Sequence, residues 1–159
     1  MHIETERKFL VRTLDFKKTA LSSRHMVQGY VAHEEGRSVR VRISDDKAFL
    51  TIKGPGDAKG MSRLEWEKEI PVDDARDLMT LCLPGIIDKR RYIVPCGSAG
   101  RVFEVDEFYG DNEGLIVAEI ELGGEDEEFP HPDWLGKEVT GDKRYYNASL
   151  SRHPFKEWQ

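Results

Sequence analysis

Apolar and charged side chains alternate along most of this chain, in short runs separated by turn-forming residues. Val39, Val41 and Ile43 share one parity, while Arg40 and Arg42 share the other. Leu64, Trp66 and Lys68 oppose Glu65, Glu67 and Glu69. Phe103 and Val105 oppose Glu104 and Asp106, and Ile116, Ala118 and Ile120 oppose Glu119 and Glu121. A period of two places alternate residues on opposite faces of a strand. The pattern predicts strands near 2–10, 26–33, 37–43, 47–53, 63–70, 89–95, 101–107 and 115–122. Turn signals fall between them at His33-Glu34-Glu35-Gly36, Ser44-Asp45-Asp46-Lys47, Gly54-Pro55-Gly56, Cys96-Gly97-Ser98, Gly110-Asp111-Asn112 and Gly123-Gly124.

Three segments read as helices. Residues 15–24 follow a capping Asp15, residues 73–82 open on Asp73-Asp74, and residues 142–151 precede Pro154. Glu125-Asp126-Glu127-Glu128 reads as a solvated loop. Eight short strands joined mainly by hairpin turns predict a mainly β (α+β) fold. Its centre is an eight-stranded antiparallel β-barrel, with a few flanking helices. Such a barrel is about wide enough for side chains and one small ligand. No linker, repeat or low-complexity block interrupts it, so residues 1–159 are expected to form a single domain.

Composition narrows the picture. Charged residues make up 34% of the chain and the net charge is −6, with no basic surplus for a nucleic-acid polymer. Cys82 and Cys96 lack metal-ligand spacing and read as reduced, buried thiols. The charged N-terminus and the lack of a long apolar run point to a cytoplasmic protein without a membrane partner. The five histidines show no ligand spacing.

The charged residues are sorted rather than mixed. Glu4, Glu6, Glu65, Glu67, Glu104, Asp106, Glu119 and Glu121 form an acidic set. Lys8, Arg40, Arg42, Lys53, Lys89 and Arg91 form a basic one. Each strand alone suits an ordinary sheet with its charges in water. The set as a whole favours a water-filled barrel lined by charge, its apolar outer faces covered by the two early helices or a partner subunit.

Carboxylates without His or Cys make a hard oxygen site, suited to Mg²⁺ or Mn²⁺. Guanidinium forks match phosphate oxygens in pairs, while lysines act as point charges. Together they describe a tunnel for a polyphosphate carried with metal, and hydrolysis or transfer at phosphorus. Lys53-Gly54-Pro55-Gly56 has no helix start behind it and reads as a hairpin turn rather than a phosphate loop.

Ile3-Glu4-Thr5-Glu6-Arg7-Lys8-Phe9-Leu10 resembles the ExExK signature of the CYTH domain, the triphosphate tunnel metalloenzymes. Further matches follow in order. They are Gln28-Gly29-Tyr30, Val39-Arg40-Val41-Arg42, Leu50-Thr51-Ile52-Lys53-Gly54, Leu64-Glu65-Trp66-Glu67 and Lys89-Arg90-Arg91-Tyr92. After these come Glu104-Val105-Asp106, Ala118-Glu119-Ile120-Glu121-Leu122 and the segment Val139 to Asn147. The resemblance spans nearly the whole chain and implies a tunnel that binds a triphosphate with Mg²⁺ or Mn²⁺. It implies metal ligation by Glu4, Glu6, Glu65, Glu67, Asp106, Glu119 and Glu121. Substrate would meet Lys8, Arg40, Arg42, Lys53, Lys89, Arg91 and Arg144, with Tyr30 and Lys89 acting near the attacking water. The 142–150 helix would partly close one tunnel end. Trp66 stands where another aromatic is often seen, on the outward face.

The small bacterial members that this chain resembles point to inorganic tripolyphosphatase activity. Thiamine or nucleoside triphosphatase, class IV adenylate cyclase and a non-catalytic polyphosphate-binding module remain alternatives. An apolar outer sheet face suggests a homodimer.

Overall fold

The computed structural model describes residues 2–97 and 100–158. Nine strands run β1 His2–Val11, β2 Ser22–Glu34, β3 Arg37–Ser44, β4 Lys47–Lys53, β5 Ser62–Ile70, β6 Ile87–Pro95, β7 Val102–Phe108, β8 Ile116–Glu121 and β9 Leu135–Glu138. Eight of them pair antiparallel in the order β5-β4-β3-β2-β6-β7-β8-β1, and β1 returns to β5 to close the barrel. The first half of β1 pairs with β5 (Glu4 opposite Arg63) and the second half with β8 (Lys8 opposite Glu119). Closure leaves no open edge in the barrel.

The sequence pattern omitted β9, which pairs with β1 at Phe9 and Val11 beyond the reach of β5. Four residues with one buried leucine give too short an alternation to recognise. The expected helix at 15–24 is only α1, Phe16–Thr19. Ala20 turns extended, and Ser22 already pairs with Ile93 of β6. Helix α2 (Val72–Met79) follows Pro71 and carries Asp73 and Asp74 in its first turn, where the helix dipole favours acids. The expected helix at 142–151 is split. A 3-10 turn at Lys143–Tyr145 leads to an extended Tyr146, and α3 runs from Asn147 to Arg152. The 54–61 connection is a longer loop, not a tight hairpin. The turn expected at Cys96-Gly97-Ser98 lies partly outside the described residues.

The apolar outer wall is covered in two places. Phe9, Phe103, Val105 and Ile120 pack under Phe16, Phe129 and Trp134. Val41 and Ala48 pack under Ala75 of α2. Inside, one end of the barrel is plugged. Leu10, Ile87, Phe108 and Val117 share parity with the inward charges and pack on Leu150 of α3. The tunnel is therefore a blind cavity on that side, sealed by the chain's C-terminal segment.

Candidate active site in the barrel interior

Above the plug lies a cavity of about 240 Å³ whose wall is almost entirely polar. Every barrel strand contributes at least one inward residue. These are Glu4, Glu6 and Lys8 (β1), Tyr30 and His33 (β2), Ser38, Arg40 and Arg42 (β3), and Thr51 and Lys53 (β4). Arg63, Glu65 and Glu67 (β5), Arg91 (β6), Glu104 (β7), and Glu119 and Glu121 (β8) complete the ring. Tyr146, Asn147 and Ala148 reach in from the C-terminal segment. Twelve of the fifteen site residues expected from sequence line this cavity: Glu4, Glu6, Lys8, Tyr30, Arg40, Arg42, Lys53, Glu65, Glu67, Arg91, Glu119 and Glu121.

The other three do not. Lys89 and Asp106 lie beneath the cavity floor, essentially inaccessible, with Lys89 Nζ 2.7 Å from Asp106 Oδ2. Both Asp106 oxygens accept from Arg91, at 2.8 and 2.9 Å, so the carboxylate is already engaged by two cations. Among the described residues no hydrogen bond joins Tyr30 to Lys89; β2 sets Met26, not Tyr30, opposite Lys89. Arg144 is exposed and clamped on Asp142 at 2.7 Å, away from the cavity lining.

Sequence reasoning missed His33, Ser38, Thr51, Arg63, Tyr146 and Asn147. Strand parity would have found Ser38, Thr51 and Arg63, which are in phase with Arg40, Lys53 and Glu65. His33 is out of phase. The β2–β3 register slips between Tyr30 and Ala32, and this bulge turns both Tyr30 and His33 inward.

The walls are cross-linked by opposite charges. Lys53 Nζ lies 2.9 Å from Glu4 and 3.3 Å from Glu65. Lys8 lies 3.4 Å from Glu119, and Arg91 lies 3.0 Å from Glu104. Arg40 donates to Thr51, which donates to Glu67 at 2.6 Å. The positive cluster is nonetheless strained. Burial, then Arg40 and Arg91, pull Arg42 down to about 9. Burial outweighs the Asp106 charge and, with Arg91 and Arg42, pulls Lys89 down to about 7. Cations pushed toward neutrality in a closed space favour an added anion. The Nε of Arg40 is buried without a hydrogen-bond partner among the described residues, which adds to the cost of holding this cation in the wall.

The acids show the complementary strain. Burial, then repulsion from Glu119 and Glu4, push Glu6 well above the usual carboxylate range. Lys8 and Arg91 outweigh burial and hold Glu119 well below it. Crowded carboxylates with oxygen donors alone fit a hard divalent cation, which relieves such repulsion. Among the described residues no three of them already converge on one point, and Glu4, Glu65, Glu67, Glu104 and Glu119 each lean toward a cation of the wall.

The chain matches the CYTH domain over residues 2–153. It belongs to the CYTH family. An inorganic triphosphatase of Acetivibrio thermocellus is 45% identical over 157 residues, covering 98% of this chain and 97% of that protein. An inorganic triphosphatase of Nitrosomonas europaea is 36% identical over 151 residues, covering 93% and 96%. A solved inorganic triphosphatase structure superimposes with a TM-score of 0.67 at 32% identity, covering 95% of each chain. CYTH triphosphatases are metal-dependent. No helix of this CYTH protein is long and apolar enough to cross a membrane among the described residues.

Proposed function

We propose that this protein hydrolyses inorganic tripolyphosphate to pyrophosphate and phosphate inside the barrel, with Mg²⁺ or Mn²⁺. One observation carries the reading. A cavity of about 240 Å³, blind at one end, holds Lys8, Arg40, Arg42, Lys53 and Arg91 facing seven glutamates, in a chain 45% identical to an inorganic triphosphatase.

Glu4, Glu6, Glu65, Glu67, Glu119 and Glu121 would hold the metal. When bound, the metal neutralises phosphate charge and activates water. The chain's own residues do the rest. Arg40, Arg42 and Arg91 bind non-bridging oxygens with their forks. Lys8, now paired with Glu119, and Lys53, now paired with Glu4 and Glu65, would turn to phosphate oxygens once those glutamates served as metal ligands. The same cations stabilise charge as it moves onto the leaving pyrophosphate. Tyr30, in the wall beside Arg40 and His33, would orient the attacking water. Lys89 and Asp106 act from below the floor by fixing Arg91.

The exposed apolar strip of Ile3, Leu64, Trp66 and Ile52 is consistent with a homodimer contact, which sedimentation at varied concentration would test. We place the protein in the cytoplasm, where its substrate would be a free polyanion.

The test is phosphate release from tripolyphosphate, ATP and thiamine triphosphate, each with and without Mg²⁺ or Mn²⁺. Metal-dependent release from tripolyphosphate is the expected result. No release from tripolyphosphate, or cyclic AMP formed from ATP, would overturn the assignment.

A further inference from the structure

Beneath the cavity, Arg42 and Arg91 are joined through a chain of buried side-chain hydrogen bonds that meets at one oxygen of Asn147. Gln28 points inward from β2 and is completely buried. Its Oε1 accepts from Arg42 Nε at 2.9 Å, and its Nε2 donates to Asn147 Oδ1 at 3.2 Å. The same Oδ1 accepts from Lys89 Nζ at 3.1 Å. Lys89 continues to Asp106, and Asp106 to Arg91. The relay therefore runs Arg42, Gln28, Asn147, Lys89, Asp106, Arg91. Both ends line the cavity, and the middle is supplied by the C-terminal segment.

The geometry has consequences at each step. A guanidinium is planar, so fixing Arg42 through Nε fixes the plane of its two terminal nitrogens. Gln28 can do this only if its carbonyl faces Arg42, and the bond from its Nε2 to Asn147 enforces that orientation. Asn147 is brought there by its neighbours. The ring of Tyr146 lies 5.1 Å from both Lys8 Nζ and the Arg63 guanidinium, and Leu150 enters the plug. Removing the Asn147 carbonyl would leave the buried Gln28 amide without its acceptor and would strip buried Lys89 of one of its two, leaving it Asp106 alone.

We propose that Gln28 and Asn147 are positioning residues for the triphosphate grip, which couples docking of the C-terminal segment to the aim of Arg42 and Arg91. The inference rests on the triphosphatase reading above. It predicts a defect in substrate binding, since the arginines would still be present but misaimed.

The experiment measures KM and kcat for tripolyphosphate with Mg²⁺, and tripolyphosphate binding by calorimetry. It compares wild type, Asn147→Ala, Gln28→Met, the double variant and Asn147→Asp. Each neutral single change should raise KM about tenfold with kcat nearly kept, the pattern of lost binding alignment. The double variant should be no worse than the worse single change, because one relay is broken once. Asn147→Asp keeps the acceptor oxygen and should recover most of the loss. Melting curves separate misaiming from unfolding. If Asn147→Ala fails to fold, Asn147→Asp and Gln28→Met still decide the matter. Wild-type turnover with both single variants within twofold of it would overturn the positioning role alone. So would full additivity in the double variant, or a well-folded Asn147→Asp as impaired as the alanine change. A wild type that neither binds nor cleaves tripolyphosphate would overturn the functional reading and the grip with it.

Discussion

Lys89 and Asp106 form an ion pair, Nζ to Oδ2 at 2.7 Å, with almost no solvent contact on either side chain. A buried pair is costly to assemble but more costly to break, because the survivor is left charged and unsolvated. Here Asp106 serves two cations, since Arg91 also binds it through two nitrogens. Asp106→Asn should destabilise the fold by about 3–5 kcal/mol, measured by urea unfolding. Glu104→Gln, at the more open partner of Arg91, should cost far less. Equal costs would show that the floor is not the electrostatic anchor of the barrel.

The same carboxylate sets an acid limit. The Arg91 and Lys89 charges outweigh burial and lower Asp106 to about 2, from an ordinary 3.8. A depressed carboxylate pKa means the unfolded chain binds the proton more readily. Its stabilisation is full above pH 4 and is lost as pH falls toward 2. The contribution is on the order of 2 kcal/mol. Melting temperature against pH should fall over that range, and the Asp106→Asn variant should lack this component of the fall.

Much of this interior was legible because parity alone decides which face a strand residue occupies. Glu4, Arg40, Glu65 and Glu119 could be assigned to one surface from alternation, and closure brings them together. Parity fails where the chain leaves ideal geometry. His33 enters through a bulge after Tyr30 that no residue type announces. Depth is also invisible to parity. Lys89 and Arg91 share a face, as do Asp106 and Glu104, yet the lower member of each lies under the floor because α3 and the apolar plug fill that end. Arg144 was misplaced for a related reason. A continuous helix was expected from 142, but the break at Tyr146 sends Tyr146 and Asn147 inward and leaves Arg144 on Asp142.

Lys53 bridges Glu4 and Glu65 across the β1–β5 seam. Removing either acid should disturb the fold little, since the other still pairs with the lysine. It should also remove an oxygen donor from the metal cage. Glu4→Gln and Glu65→Gln should therefore each lower metal-dependent phosphate release at least about 100-fold, with melting temperature within a few degrees of wild type. Full activity in either variant would exclude that glutamate from the metal site.

Gly60 packs against the turn that carries Tyr146 into the cavity wall. Its φ is +72°, a conformation that favours glycine, and an added Cβ would lie 2.6 Å from Gly141 Cα and 2.9 Å from the Tyr146 hydroxyl. Neither the Gly141 backbone nor the Tyr146 ring can yield in place, because the ring is held between Lys8 and Arg63. Gly60→Ala must push the 54–61 loop and the 141–146 turn apart. The cost to the fold is modest, about 1–3 kcal/mol, because both segments are surface loops. The cost to function should be larger in proportion, since moving Tyr146 moves Asn147 and loosens the cavity wall at Lys8. KM for tripolyphosphate should rise several-fold while the melting temperature falls by only a few degrees. An alanine variant with unchanged KM would show that the contact between these loops does not govern access to the tunnel.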